Sequence, residues 1–314
     1  MKFLFLTDTH IRGTTPRSRK DNFLLTVKTK LEEVLTLAKE LQVDAILHDG
    51  DLFDRPDISP SIVRDFASML LASPAPIYAV AGNHDLYGAN PETIPRTMLG
   101  LLDAFGVLRL LHPGEKLFLA KEGVTVQLTG QHFHYDIDRR DRKLDYVIAK
   151  DPRADVAIHM VHGMLLHRPF IEGVLHTLIE QVLDTEADLT LGGHFHTGFG
   201  LVEADGKSFV NPGSLVRINA SFAEMARKPR VVLIDLSSGK VDLRFIELSS
   251  ALPGDEVLDR SQIEAVAFRE RRLSDFVQGI RSAGEFRMVE LGRIIEDVAN
   301  LEGIPPEVKT EALR

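Results

Sequence analysis

The sequence predicts an α/β protein, a sandwich of two β-sheets flanked by helices, with a helical C-terminal extension. Three observations carry that expectation. Apolar runs alternate with helical periodicities through the first hundred residues, the pattern of parallel strands joined by right-handed crossovers. The middle of the chain and the stretch after His196 read instead as short strands separated by turns. From about Ala251 the strand pattern gives way to amphipathic helical stripes. The expected division is therefore a main domain over residues 1–250 and a helical extension over 251–314.

In chain order, Lys2-Phe-Leu-Phe-Leu-Thr7 is a short buried strand, and the polar, basic stretch Ile11–Lys20 is a loop. Phe23, Leu24, Val27, Leu31, Val34, Leu35 and Ala38 then recur at helical spacing as far as Leu41. Asp44–His48 is the second strand. Ser59-Pro60 looks like a cap with proline at the first helical position, opening a helix that runs to Leu71. Ile77–Ala81 is the third strand. Val107–Leu111, Lys116–Ala120 and Val124–Thr129 are expected as an antiparallel sheet, after which Gln131-His-Phe-His134 brings two histidines near the strand ends by register. Val156–Val161 and Ala187–Leu191 are further strands. Phe199–Val202, Ser208–Val210, Arg230–Asp235 and Val241–Leu248 should complete the second sheet. In the extension, Ser261-Gln-Ile-Glu264 has capping-box spacing, and stripes from Ile263 to Ile280 and from Met288 to Leu301 are parted by Gly284. Such a helical hairpin packs on the main domain or offers an apolar face to a partner or a second copy.

Composition narrows the chemistry. The chain has no cysteine, which removes disulfides, thiolate zinc sites, iron–sulfur clusters and a cysteine nucleophile, and suits a reducing, cytoplasmic compartment. Asp8 interrupts the N-terminal apolar run, so it is a strand and not a signal peptide. No run approaches the ~18 apolar residues of a membrane span. A net charge of −9 argues against chain-wide attraction to nucleic acid, while leaving room for a local basic strip or a cationic metal centre. The basic run Arg139-Arg-Asp-Arg-Lys143 is either solvated surface or a phosphate-backbone contact. Neither a phosphate-cradling Gly-Lys loop nor a serine nucleophile elbow is present.

Five strand ends share one character. Asp8-Thr9-His10, Gly50-Asp51-Leu52-Phe53-Asp54, Gly82-Asn83-His84-Asp85, His162-Gly163 and Gly193-His194-Phe195-His196 each follow an apolar run. Open α/β sheets bind ligands at that edge. Oxygen and imidazole donors without sulfur favour Mn, Fe or Zn, with Mg or Ca behind them. Two ions need a bridge, and an aspartate directly after a glycine on a tight turn suits it, which selects Asp51. Two ions about 3.5–4 Å apart acidify a shared water for attack on phosphorus and clamp the attacking and leaving oxygens. A histidine held by a carboxylate suits the proton donor for the leaving oxygen. His162 competes with His159 on the same strand, and its strand-end position before a glycine favours it. His48, His132, His134 and His167 read as structural or supporting, and Asn211-Pro-Gly-Ser214 as a turn near the site.

In this order the five motifs resemble those of the calcineurin-like metallophosphoesterase superfamily. The resemblance implies a two-sheet sandwich flanked by helices with two metals at the strand ends. It assigns Asp8, His10 and His196, with bridging Asp51, to the first ion, and Asn83, His162 and His194 to the second. His84 would contact the scissile phosphate or protonate the leaving group, oriented by Asp54. Arg55 stands where phosphatase relatives place a phosphate-binding arginine, although Pro56 replaces the usual glycine. Residues Lys2 to about Leu111 are most similar to the nuclease subunit of bacterial SbcCD-type DNA-repair complexes and its phage relatives, which implies Mn-dependent cleavage of DNA. The same branch implies an SMC-like ATPase partner gripped by C-terminal helices, a role open to the Ser261–Leu301 hairpin, as is pairing into a homodimer. The loop after His10 departs from that branch, reading Ile-Arg-Gly in place of the commoner Leu-Gly. Two other readings remain: a phosphodiesterase or phosphatase for nucleotides, small phosphoesters or phosphoproteins, and an inactive scaffold of the same fold.

Overall fold

The computed structural model describes residues 1–237 and 240–261 and four isolated positions beyond, so the expected C-terminal hairpin lies outside the described residues. The chain divides into a unit Met1–Arg260 and a unit Ser261–Arg314, and the first carries everything described below. Its elements are β1 (Lys2–Leu6), α1 (Phe23–Glu40), β2 (Ala45–Asp49), α2 (Pro60–Leu71), β3 (Ile77–Val80), α3 (Met98–Ala104), β4 (Arg109–Leu110), β5 (Leu117–Lys121), β6 (Val124–Gln131), α4 (Lys143–Tyr146), β7 (Val156–Val161), β8 (Leu165–Leu166), β9 (Thr177–Leu178), β10 (Leu189–Gly192), β11 (Gly200–Ala204), β12 (Lys207–Asn211), α5 (Phe222–Ala226), β13 (Arg230–Asp235), β14 (Asp242–Glu247) and α6 (Gly254–Val257).

Two six-stranded sheets result, ordered β14-β13-β1-β2-β3-β4 and β11-β12-β10-β7-β6-β5. Successive residues of a strand face opposite sides, and β1 displays the consequence. Phe3 and Phe5 pack into the layer between the sheets, with Leu47, Val80, Leu128, Ile158, Met160 and Leu191. Leu4 and Leu6 face outward and join Phe23, Val27, Leu31, Val34, Val63 and Phe66 of α1 and α2. Burial on both faces is why these strands read as continuous apolar runs. The N-cap of α1 is Asn22, whose side chain accepts from the Leu25 amide, and α2 opens with the proline at its first turn.

The structure corrects two expectations about the sheets. The middle of the chain is not an antiparallel sheet: only the β5–β6 hairpin pairs that way, while β4 lies parallel to β3 and β6 parallel to β7. Helix α3 supplies the crossover that a parallel β3–β4 pair needs, and residues 132–155 supply the one between β6 and β7. Strands β13 and β14 join the first sheet and not the second, with β13 antiparallel to β1 through Phe3↔Ile234 and Phe5↔Val232. Parallel pairing with β2 uses one edge of β1, and the β-branched β13 seals the other.

Candidate metal centre

Strands β1, β2 and β3 of one sheet and β7 and β10 of the other end at a common edge, and the five motifs are the loops that leave them. The first two loops run side by side: the amides of Asp8, His10 and Ile11 donate to the carbonyls of Gly50, Asp51 and Leu52 at 3.1, 2.9 and 2.9 Å. The third is stapled to the second by Asp85, whose buried carboxylate accepts from the amides of Gly82 (3.0 Å), Leu52 (3.3 Å) and Phe53 (2.9 Å). Burial first, then the neighbouring Asp51 carboxylate, pushes the Asp85 pKa up to about 7. Nothing in the sequence assigns Asp85 a role of its own, because its partners are main-chain amides.

Close approach accounts for two of the glycines. A Cβ on Gly82 would lie 2.1 Å from Asp51 Oδ1, and one on Gly50, whose φ is +78°, would lie 2.4 Å from His162 Nδ1. Asp8, His10, Asp51 and His194 themselves sit at left-handed φ of 52°, 47°, 52° and 64°. Each such non-glycine residue costs about 1–2 kcal/mol, and the packed surroundings hold it there.

Asp8 and Asp51 each have one oxygen tied and one free. Asp8 Oδ2 accepts from Thr7 Oγ1 (2.7 Å) and the His194 amide (3.2 Å), while Asp8 Oδ1 is buried with no partner. Asp51 Oδ1 accepts from the His84 amide at 2.8 Å, and its buried Oδ2 is unpartnered, 3.7 Å from His10 Nε2 and 3.4 Å from His162 Nε2. Asp51 therefore has Oδ2 left to offer a ligand, with Oδ1 held by the His84 amide. His196 Nε2 lies 3.4 Å from Asp8 Oδ1 and 3.0 Å from His10 Nε2. Asn83 Oδ1 and His162 Nε2 are also buried without a partner.

Two groups of donors converge, sharing Asp51: Asp8, His10, Asp51 and His196 in one, Asp51, His162 and His194 in the other, and a third gathers His10, Asp54 and His84. Donors 3–4 Å apart that offer lone pairs and lack hydrogen-bond partners are what ligands about 2.0–2.2 Å from a shared ion present. These residues fit divalent metal ions. Burial costs the Asp8 and Asp51 carboxylates, yet the surrounding histidines outweigh it and hold both pKa values below the usual range. Burial and His162 press His194 down to about 4, so its imidazole is neutral and able to ligate.

The remaining candidates separate clearly. His84 Nδ1 donates to the backbone carbonyl of Asp54 at 2.9 Å, so Asp54 orients it through the main chain. The Asp54 carboxylate turns elsewhere, to Arg12 Nη1 (2.9 Å) and toward His10 Nδ1 (3.6 Å). Arg55 is 70% exposed and pairs with Asp57. His159 is fully engaged by Thr129 (2.9 Å) and the Asp145 carbonyl (2.8 Å). His132 accepts from the Ala81 amide, His134 meets Asp145, and His48 meets Thr9. The histidines of Gln131–His134 therefore stay out of the donor groups, and Phe133 between them packs on His162 and His194 with ring centroids at 6.2 and 5.3 Å. In the basic run, Arg140 pairs with Asp145 and Lys143 with Asp184. Asn211 donates to the carbonyls of Gly193 (3.1 Å) and Phe195 (3.3 Å), bracing the last motif.

The profile of the calcineurin-like phosphoesterase family matches residues 1–198, and the chain belongs to that family. Its members are metal-dependent phosphoester hydrolases. Solved structures with a similar fold include TT1561 of Thermus thermophilus (TM-score 0.44, 15% identity, covering 78% of this chain and 98% of that one). Another is GAP50, the anchor in the inner membrane complex of Plasmodium (TM-score 0.49, 12% identity, covering 81% and 86%). No curated protein matches the sequence. Among the described residues no helix is long and apolar enough to cross a membrane.

Proposed function

We propose that the chain is a dinuclear-metal phosphodiesterase that cleaves DNA, of the SbcD type. The observation that carries the reading is that Asp8 Oδ1, Asp51 Oδ2, Asn83 Oδ1 and His162 Nε2 are all buried and unpartnered on loops that leave strand ends of both sheets. Asp8, His10 and His196 would hold one ion, and Asn83, His162 and His194 the other, with Asp51 common to both. The sulfur-free set of oxygens and imidazoles suits manganese, iron or zinc, and the resemblance to SbcD-type nucleases supports manganese first. When bound, such a pair acidifies water and polarises the phosphoryl oxygens. His84 serves the leaving oxygen: with Nδ1–H fixed on the Asp54 carbonyl, Nε2 takes up or releases the proton. Arg55, exposed beside Asp57, is the candidate contact for a substrate phosphate.

A net charge of −9 favours a second reading, hydrolysis of nucleotides, small phosphoesters or phosphoproteins. A three-way comparison of Mn-dependent hydrolysis separates the two, using a phosphodiester dye, a phosphomonoester dye and single-stranded DNA. The diester dye and the DNA should be cleaved. Turnover of the monoester with inert DNA would overturn the nuclease reading. The amphipathic stripes between Ile263 and Leu301 support a grip on an SMC-like ATPase or on a second copy, and the lack of cysteine supports a cytoplasmic setting.

A further inference from the structure

Phe195 stands in the chain between two of the clustered histidines, His194 and His196. Its position is fixed by the main chain: the Phe195 carbonyl accepts from Gly198 N at 2.8 Å and from Asn211 Nδ2 at 3.3 Å. The ring is half-buried, and Phe170 meets it edge-on, with centroids 5.7 Å apart and an interplanar angle of 77°. Phe170 is itself exposed, on the loop 167–176 that β8 and β9 close with two paired residues each. Arg168, two residues before it, is exposed and has no ion pair among the described residues, while Glu172 is the loop's one acid. An aromatic pair is therefore joined through Phe195 to the chain between two of the clustered histidines, with an exposed arginine two residues before Phe170.

We propose that Phe170 and Phe195 form a stacking step for an unpaired nucleobase attached to the phosphodiester at the metal centre, with Arg168 reaching a neighbouring phosphate. The inference rests on the DNA-cleaving reading above. Every base has a π-face, so an aromatic platform takes any sequence, and an adjacent arginine supplies the backbone contact. Bases inside a duplex present no free face to a side chain, so the step selects single strands or frayed ends. Ile171, Val174 and Leu175, exposed on the same loop, extend the apolar surface.

The test uses the full chain loaded with Mn, a thymidine homopolymer strand, and the same strand with one abasic nucleotide moved stepwise along it. In the wild type, one abasic position should lower kcat/KM for the adjacent cut by roughly fivefold to a hundredfold, given the usual worth of base–aromatic stacking. Phe170→Ala should collapse that ratio toward one, mainly through KM, and Phe170→Trp should restore it. DNA cleavage that ignores the abasic position, or a ratio that survives in Phe170→Ala, would overturn the stacking step while leaving the nuclease reading intact. A ratio unmoved by Phe170→Ala together with a change in sedimentation would assign the loop to contact between copies and overturn it equally. Hydrolysis of a phosphodiester dye with every DNA strand inert would instead mark failure of the nuclease reading itself.

Discussion

His162 Nε2 and Asp51 Oδ2 face each other at 3.4 Å in a fully buried setting, and His162 Nδ1 already donates to the Asp49 carbonyl at 2.6 Å. A neutral His162 therefore aims a lone pair at a carboxylate. Burial works against a charge on this imidazole, but Asp51 outweighs it and raises the pKa to about 10. Without another cation that setting favours a proton on His162, and a bound metal ion would take the proton's place.

Metal loading should consequently release protons. Titrating Mn or Zn into chelator-stripped protein at pH 7 in buffers of different ionisation enthalpy should show proton release. The melting temperature should rise with metal, since the ions bind the folded chain. Asp51→Asn should reduce bound metal from two ions per chain to below one, measured by elemental analysis. Two ions retained in that variant would contradict the shared role of Asp51.

His84 and Asp54 should separate in kinetics. His84→Ala should retain both ions while turnover falls by roughly 10²–10⁴. Because the Asp54 carbonyl, not its carboxylate, holds His84, Asp54→Asn should leave that contact in place. Its loss should appear through His10, as a drop of about 10–100-fold in metal affinity. A matching loss of turnover at saturating metal would show that the carboxylate acts on His84.

Two glycine substitutions should differ although both glycines have positive φ. Gly114 (φ +83°) has nothing within 4 Å of an added Cβ, so Gly114→Ala should cost about 1–2 kcal/mol, the conformational term alone. Gly50→Ala adds a collision with the His162 ring and with the Gly82 amide, and should cost more while also losing metal. Denaturant melts of the two variants without and with metal check both statements.

Lys30 offers a prediction about pH. Its ammonium is buried, donating to the Leu215 carbonyl at 2.9 Å, and burial, with Arg217 and Arg19 adding, lowers its pKa well below 10.5. The unfolded chain then holds a proton that the folded chain gives up, so stability rises with pH through that window and the penalty vanishes above 10.5. The stability of wild type relative to Lys30→Met should climb with pH, at up to about 1.4 kcal/mol per unit for one proton. A flat difference between about pH 7 and 10 would show that Lys30 stays charged when folded.

Much of this protein was legible in the chain. The 3.6-residue stripe of Phe23 to Ala38 and the buried runs of β1, β2, β3 and β7 specified their own elements, because local periodicity reports which face meets a core. The donor types at five strand ends likewise announced a metal centre, since Asp, His and Asn after buried strands have few other uses there. What the sequence alone determined is thus the inventory: which residues can ligate, and at which edge they emerge. The tertiary structure decided their geometry. It placed β13 against β1, paired Arg55 with Asp57, gave His84 to the Asp54 carbonyl, and set Phe133 against His162 and His194. Those outcomes rest on main-chain partners and on contacts between residues distant in sequence, and neither leaves a periodic trace in the order of side chains.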